Sequence, residues 1–223
     1  MNFMHRIFIL SFGIVLFSCE KEEATAPLFS EARYTITVTG RWASPDFTIP
    51  VGAHYTTFVG MVHNSNAYLW KDGTKAGAGM ELLAEIGNGT TMLVEIDSMI
   101  TARNASSLLL FVAPALTGNR TASLYANTNY SFVSFASMLG PTPDWFVGVS
   151  GINLYKNNTW VADTTVNMYA YDAGTEDGDV FGYNNPASLP QQNIHILQAS
   201  QATVLSNGNP GLTAIATARF TRL

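Results

Sequence analysis

The chain has 223 residues and carries 11 Lys and Arg against 16 Asp and Glu, a formal net charge of −5. Only 12% of its residues are charged and 47% are apolar, so it has ample material for a core and is not intrinsically disordered. The acidic balance argues against binding to nucleic acid, which needs clustered basic side chains. The single Cys excludes both a disulfide framework and a zinc site built from several thiolates.

Residues 1–18 are typical of an export signal. His5 and Arg6 precede an apolar run, Ile7–Phe17, which is too short to span a bilayer. The run ends in Leu16-Phe17-Ser18-Cys19, which resembles the lipobox of bacterial lipoproteins, where the Cys becomes the lipidated first residue. The sequence therefore predicts an outer-membrane lipoprotein anchored through Cys19, with an ordinary signal peptide as the alternative.

A short tether over residues 19–30 follows, with charged and turn-forming residues from Glu20 to Pro27. Acidic residues directly after the Cys resemble a surface-export signal of lipoproteins, and a plain solvated linker is an equal alternative. The remaining residues, 31–223, show no internal repeat and no change in composition, so we expect them to form one domain.

The pattern of this domain is mostly that of β-strands. Tyr34–Thr39 alternates apolar and Thr residues, as a strand with one buried face does, and Trp145–Val149 is apolar throughout, as a strand covered on both faces is. Further strand candidates are Ser131–Ser137, Val161–Tyr171 and Ala214–Leu223. We expect an all-β fold, an antiparallel β-sandwich with one or two short helices.

Two segments have helical spacing instead of alternation. The first places Met80, Leu83 and Ala84 on one face, with Gly87 as the stop. The second has the i, i+3, i+4, i+7 spacing of one helix face at Ile96, Met99, Ile100 and Arg103. Glu81 and Glu85 lie one turn apart on the first helix, which predicts a solvated face rather than an acid/base pair.

The most informative run is Gly140–Val149, which reads GPTPDWFVGV. It resembles the PSPDWFVGV signature of the spondin N-terminal domain family, and Tyr171–Thr175, YDAGT, matches a second motif of that family in the same order. Tyr34–Trp42, His63 and Pro190-Gln191 are also similar to family positions. The resemblance covers nearly all of residues 32–223.

That resemblance implies an antiparallel β-sandwich that holds a calcium ion, with Asp144 and Asp172 as ligands. It also implies a third acidic ligand on the strand before the PDW loop, a position where counting without gaps places Tyr125, which has no carboxylate. The function that it implies is adhesion, through an extracellular protein or glycan partner.

The residues themselves also suggest that the two carboxylates meet. Asp144 precedes the strand 145–154 and Asp172 ends the strand 160–171, so a hairpin of these strands would bring them to neighbouring strand ends. Two carboxylates at that distance repel unless a cation or a proton lies between them. The alternative is that each Asp only caps a turn.

Other candidate residues have structural explanations. His54, His63 and His195 lack metal-ligand spacing and are expected to be packed or surface residues. Three of the four Trp residues are expected in the core or at its edges: Trp42, Trp145 and Trp160. The fourth, Trp70, is expected at the surface.

The sequence offers no nucleophile and base pattern, so we expect a binding module and not an enzyme. An envelope hydrolase that acts on glycan or peptide through paired acids is one alternative, because such acids need no sequence motif. A structural component of the envelope without a discrete ligand is the other.

Overall fold

The structure, a computed structural model, describes residues 29–197, 204–207 and 213–223. The predicted signal peptide, Cys19 and the tether up to residue 28 lie outside the described residues. The strands are β1 (Glu31–Gly40), β2 (His54–Tyr55), β3 (Phe58–His63), β4 (Ala105–Phe111), β5 (Asn119–Asn127), β6 (Phe132–Gly140), β7 (Trp145–Asn153), β8 (Tyr155–Lys156), β9 (Thr159–Trp160), β10 (Asp163–Met168), β11 (Ala170–Asp172), β12 (His195–Ile196) and β13 (Ala216–Arg222). The helices are α1 (Ala78–Ile86) and α2 (Thr90–Thr101).

Two antiparallel sheets enclose the main core. The four-stranded sheet has the order β10-β13-β1-β5, and the seven-stranded sheet has the order β12-β11-β7-β6-β3-β4, with β2 paired to β6. The strands β8 and β9 form a separate hairpin. The structure therefore confirms the predicted all-β sandwich with two short helices.

The strand β1 shows how the smaller sheet is built. Tyr34, Ile36 and Val38 are completely buried between the sheets, and the threonines between them are half-buried on the outer face. Strict alternation of this kind belongs to a sheet with one face in the core and the other in water. The predicted face of this strand is confirmed.

The two helices cover the outer face of the larger sheet. Met80 and Leu83 of α1 and Met92 and Ile96 of α2 join a second apolar cluster, to which the sheet contributes Phe146 and its neighbours. The strand β7 is thus covered on both faces, as its apolar run predicted. Among the described residues, no helix is long and apolar enough to cross a membrane.

The predicted ends of the helices are confirmed for α1 and corrected for α2. Gly87 follows α1 with φ of 69°, and its N–H donates to the carbonyl of Leu83 at 3.0 Å, a typical glycine stop. Arg103, which the spacing placed on α2, lies beyond its end with φ of 59°.

The predicted strand over 160–171 is wrong in its pairing. Its first residue, Trp160, belongs to β9. Its middle part is β10, which pairs with β13 in the four-stranded sheet, and its last part is β11, which pairs with β7 in the other sheet. The chain changes sheets at Tyr169, the one residue between β10 and β11. Apolar alternation does not show this change, because both strands face the same core.

Trp70 is buried and not exposed as expected. Only 4% of it is accessible, and its ring lies 4.9 Å from Phe146 and 4.8 Å from Tyr171, between their centroids. The polar residues beside it in the sequence suggested a surface position, but the loop folds its ring onto the sheet beside the helices. Trp42, Trp145 and Trp160 are buried, as predicted.

Candidate metal-binding site

The two predicted ligands lie at adjacent strand ends. Asp172 of β11 is the register partner of Trp145 of β7, and the N–H of Ala173 donates to the carbonyl of Asp144 at 3.2 Å. The short pairing of β11 with β7 therefore does what the predicted long hairpin was expected to do. It brings together two residues that are far apart in the sequence.

Asp144 is fixed by the loop that carries it. The Thr142 hydroxyl accepts the N–H of Trp145 at 3.2 Å, which closes the turn before β7. Asp144 is completely buried, and its Oδ2 accepts the N–H of Thr175 at 2.7 Å and that of Glu176 at 3.1 Å. Its Oδ1 is also buried, yet it has no hydrogen-bond partner among the described residues.

Asp172 is held more loosely at the rim. Its Oδ1 accepts the N–H of Gly174 at 2.7 Å and lies 3.9 Å from Nδ1 of His195, an exposed residue. Gly174 has φ of +73°, and a Cβ there would lie 2.5 Å from the carbonyl oxygen of Gln192. The loop after β11 can therefore turn this tightly only with glycine at this position.

The electrostatics of the two carboxylates are those expected of a pair that shares one cation. Burial raises the pKa of Asp144, although the N–H groups of Thr175 and Glu176 oppose the shift. Burial and then the charge of Asp144 raise the pKa of Asp172 to about 6. Each carboxylate disfavours ionisation of the other, so a bound cation would remove a repulsion that the fold builds in.

Two further acidic residues approach Asp144, and sequence reasoning missed one of them. Burial raises the pKa of Glu85, and the charges of Glu81 and Asp144 add to the shift. Burial also raises the pKa of Glu176, with contributions from Glu85 and Asp144. The expected solvated position of Glu85 is thus wrong: it is half-buried and interacts with Thr175 of the loop after β11. Helical spacing could not have revealed this contact.

Tyr125 does not join the carboxylate pair. It lies on β5 in the four-stranded sheet, 43% exposed, beside Glu31 and Arg33. Within residues 29–197, 204–207 and 213–223, no three Asp, Glu, His or Cys side chains form a metal-ligating group. A cation at Asp144 and Asp172 would therefore need backbone carbonyls or water to complete its coordination.

A pocket of about 340 Å³ opens at this rim, lined by acidic residues and one histidine. Its acidic lining residues are Asp172, Glu176, Asp177 and Asp179, and His195 lines it beside Asp172. The loop 172–179 is tied to the loop 186–195 by backbone hydrogen bonds, among them Ser188 N–H to Thr175 carbonyl at 2.8 Å. Asp144 lies behind this pocket and does not line it. The carboxylate oxygens of Asp144 and Asp172, one of them buried without a hydrogen-bond partner in the described part of the chain, fit a hard cation such as calcium.

Comparisons with known proteins agree with this architecture. The profile of the Spondin_N family matches residues 32–207. Spondin-2 of Homo sapiens is 32% identical over 186 residues, which cover 79% of this chain and 55% of that protein. Spondin-2 of Rattus norvegicus is 31% identical over 186 residues, and Spondin-1 of Gallus gallus is 30% identical over 176 residues.

The chain spans about half the length of the Spondin-2 proteins and 22% of the Gallus gallus Spondin-1, whereas 79% and 74% of its own length are matched. The likeness is therefore to one domain of each relative. The family profile covers most of the sandwich, including both aspartates and the loops between them. The chain belongs to the spondin N-terminal domain family.

Proposed function

We propose that this protein is a lipid-anchored, extracytoplasmic adhesion module whose binding rim is organised by calcium at Asp144 and Asp172. The observation that carries the proposal is the buried Oδ1 of Asp144, which has no hydrogen-bond partner among the described residues. Beside it is the half-buried carboxylate of Asp172, whose pKa is raised by burial and by the charge of Asp144. A buried polar atom without a partner costs free energy unless something binds it. A calcium ion would supply that partner and neutralise the carboxylate repulsion.

The position of the two residues gives the ion a structural role. Asp144 ends the loop between β6 and β7, and Asp172 begins the loop 172–179. An ion between them joins two loops that the backbone connects through the hydrogen bond from Ala173 to Asp144. The chain itself positions the oxygens, and calcium then stiffens the rim that a partner would contact.

Binding is better supported than hydrolysis. Asp144 is completely buried, so it cannot reach the glycosidic or peptide bond of a substrate in the pocket. Three hydrogen bonds also occupy its Oδ2, from the N–H and the hydroxyl of Thr175 and from the N–H of Glu176. Membership of the spondin N-terminal domain family supports an extracellular binding role, with a protein or a glycan as the partner.

Thermal melting with calcium tests the ion. We expect millimolar calcium to raise the melting temperature and a chelator to lower it, since a ligand at 100 times its Kd stabilises by about 2.7 kcal/mol. Asp144→Asn and Asp172→Ala should abolish the difference, and Asp97→Asn, an exposed carboxylate on α2, should keep it. Identical melting curves with calcium and with chelator would contradict the calcium site.

Binding to immobilised cell-surface glycans and extracellular proteins tests adhesion. We expect retention in calcium, release by chelator, and no retention of Asp172→Ala, with Asp97→Asn retained as the matched control. Retention that is the same with and without chelator would show that adhesion does not depend on the calcium ion. No retention on any surface would contradict adhesion and favour the alternative, a structural component of the envelope without a discrete ligand.

The anchor is tested separately at Cys19. In a bacterial host, we expect the full chain to incorporate an alkyne-labelled fatty acid and to fractionate with the outer membrane. Cys19→Ser should lose both the label and the membrane fraction. A label that persists in Cys19→Ser would show that the lipobox interpretation is wrong.

A further inference from the structure

The four Trp side chains differ in how their indole N–H groups are paired. Three of them donate to an oxygen atom of another residue: Trp42 to the carbonyl of Thr48 at 2.9 Å, Trp160 to the hydroxyl of Ser30 at 2.8 Å, and Trp70 to the carbonyl of Phe135 at 3.4 Å. The fourth, Trp145, is 1% exposed, and its buried Nε1 has no hydrogen-bond partner among the described residues. Because a buried indole N–H normally finds an acceptor, an unpaired one needs a structural reason.

This unpaired donor adjoins the unpaired acceptor of the proposed calcium site. Within residues 29–197, 204–207 and 213–223, the only other buried side-chain polar atom without a partner is Oδ1 of Asp144, the residue before Trp145. Each unpaired polar atom in the interior costs free energy that the rest of the fold must offset. Both costs fall on two consecutive residues, so their cause lies at this site and not in the core as a whole.

Trp145 lies opposite the carboxylate of Asp172. The two residues are register partners in the antiparallel pair of β7 and β11, so their side chains project from the same face with their Cβ atoms about 5 Å apart. Burial and the charge of Asp144 raise the pKa of Asp172, and the indole N–H of Trp145 is one of the groups that oppose this rise. The N–H therefore interacts with the carboxylate, although its geometry is not that of a hydrogen bond.

The donor is held by the core, whereas the carboxylate lies at the rim. The ring of Trp145 packs in the main core, at an angle of 69° to the ring of Phe181 with 5.8 Å between centroids. Asp172 is half-buried and lines the pocket, and its Oδ1 accepts the N–H of Gly174 at 2.7 Å. A carboxylate has about four acceptor positions, so a second donor would still leave positions for an ion.

We propose that Trp145 is a positioning residue of the calcium site, whose indole N–H donates to the carboxylate of Asp172 and fixes the orientation in which that carboxylate holds the ion. This inference rests on the proposed calcium site. The charges of Asp144 and Asp172 repel, and a cation between them would remove this repulsion, so that the carboxylate can turn to the N–H. Carboxylates that bind metals are themselves hydrogen-bonded by neighbouring residues, and loss of such a partner weakens metal binding.

Calcium titration calorimetry on the full chain tests the role of the N–H. Trp145→Phe keeps an aromatic ring in the core and removes the donor, so we expect the Kd for calcium to rise about tenfold or more. Trp160→Phe is the matched control, because its indole lies in the same core but its N–H is paired with Ser30. The Kd of this control should equal that of the parent.

The NMR signals of the four indole N–H groups supply a readout that packing alone would not change. In the isotope-labelled parent, calcium should move the Trp145 signal downfield, the direction expected when a hydrogen bond forms. The signals of the other three should stay in place, because these groups already have partners. This measurement uses the parent, so it tests the proposal even if Trp145→Phe does not fold. The Trp145 signal is then assigned by elimination from Phe variants of the other three.

The outcomes separate this inference from the proposed function. Calcium binding that Trp145→Phe leaves unchanged, or a Trp145 signal that calcium does not move, would overturn the role of the N–H and leave the calcium site intact. An equal loss of affinity in Trp160→Phe would also overturn it, since packing and not the donor would then be the cause. A parent that binds no calcium would contradict the proposed function and this inference together.

Discussion

The two sheets of this protein pack against the same core but differ in what covers their outer faces. The four-stranded sheet has one face in the core and the other in water, so β1 alternates buried and partly exposed residues. The seven-stranded sheet lies between that core and the helices, so every residue of β3 and nearly every residue of β6 is buried. Strands of one protein thus follow two sequence patterns because their outer faces meet different surroundings.

The difference predicts where substitutions on outer faces matter. In β3 and β6 of the larger sheet and in the first half of β7, an outward side chain is as much a core residue as an inward one, whereas in the smaller sheet it contacts mainly water. The predictions below test this contrast, beginning with the largest expected effect.

Phe146→Ala should cause the largest loss of stability. This outward side chain of β7 is completely buried, with its ring 4.9 Å from Trp70 and 5.5 Å from Tyr171. Removing it should cost about 4 kcal/mol of unfolding free energy, measured by chemical denaturation. The matched change on the smaller sheet, Thr37→Ala, should cost about 0.5 kcal/mol. Equal losses would contradict the contrast.

Gly60→Ala should be nearly as damaging, although it adds only one carbon. A Cβ at this position of β3 would lie 2.3 Å from the carbonyl oxygen of Ser134 and 2.4 Å from Cβ of Phe135. We expect a loss of about 3 kcal/mol in the same measurement. Gly182→Ala, where an added Cβ meets nothing within 4 Å, is the control and should change the stability by less than about 0.5 kcal/mol.

His63 should make the larger sheet sensitive to acid, with an effect smaller than the two above. Its Nδ1 lies 2.7 Å from the carbonyl of Asn64, which can only accept, so Nδ1 carries the proton and Nε2 accepts the Ser134 hydroxyl at 2.8 Å. Burial lowers the pKa of His63 below 6.5. Protonation would break the bond to Ser134, so this stability is complete above pH 6.5 and is lost as the pH falls below it.

The measurement compares the stability of the parent with that of His63→Gln between about pH 7 and pH 5. Other groups titrate in that range, including Asp172 with its pKa of about 6, so the readout is the difference between the two proteins. That difference should shrink as the pH falls. A constant difference would show that His63 does not titrate as the structure implies.

Arg219→Ala should have the smallest effect. Its guanidinium pairs with Asp163 on the outer face of the smaller sheet, with Nη2 to Oδ2 at 2.8 Å, and both side chains are exposed. Exposed ion pairs contribute little because water and salt screen them. The melting temperature should not change measurably, and a clear fall would show that this face is less open to water than its exposure indicates.

Local features of the sequence were reliable where the structure depends on neighbouring residues. The alternation in Tyr34–Thr39, the helical face of Met80 and Leu83 with its stop at Gly87, and the doubly covered run Trp145–Val149 are all confirmed. Each depends on a period of two or 3.6 residues, or on one backbone conformation, and these are visible within a few residues.

Features that depend on distant contacts were predicted less well. The change of sheet at Tyr169, the burial of Trp70 and the approach of Glu85 to Asp144 each require the position of another element. The nearness of Asp144 to Asp172 was predicted, but through the wrong strand pairing. The motif resemblance identified the pair, and the short register of β11 on β7 explains it.

The sequence by itself determined the fold class and the family, and it predicts Asp144 and Asp172 as the site, because periodicity and the motifs PDW and YDAGT are properties of consecutive residues. Only the tertiary structure decided that Asp144 is buried with one oxygen lacking a partner in the described chain, and that β4 lies at the edge of the larger sheet. Burial and edge position depend on which strands and helices lie alongside, and a linear pattern does not carry that information.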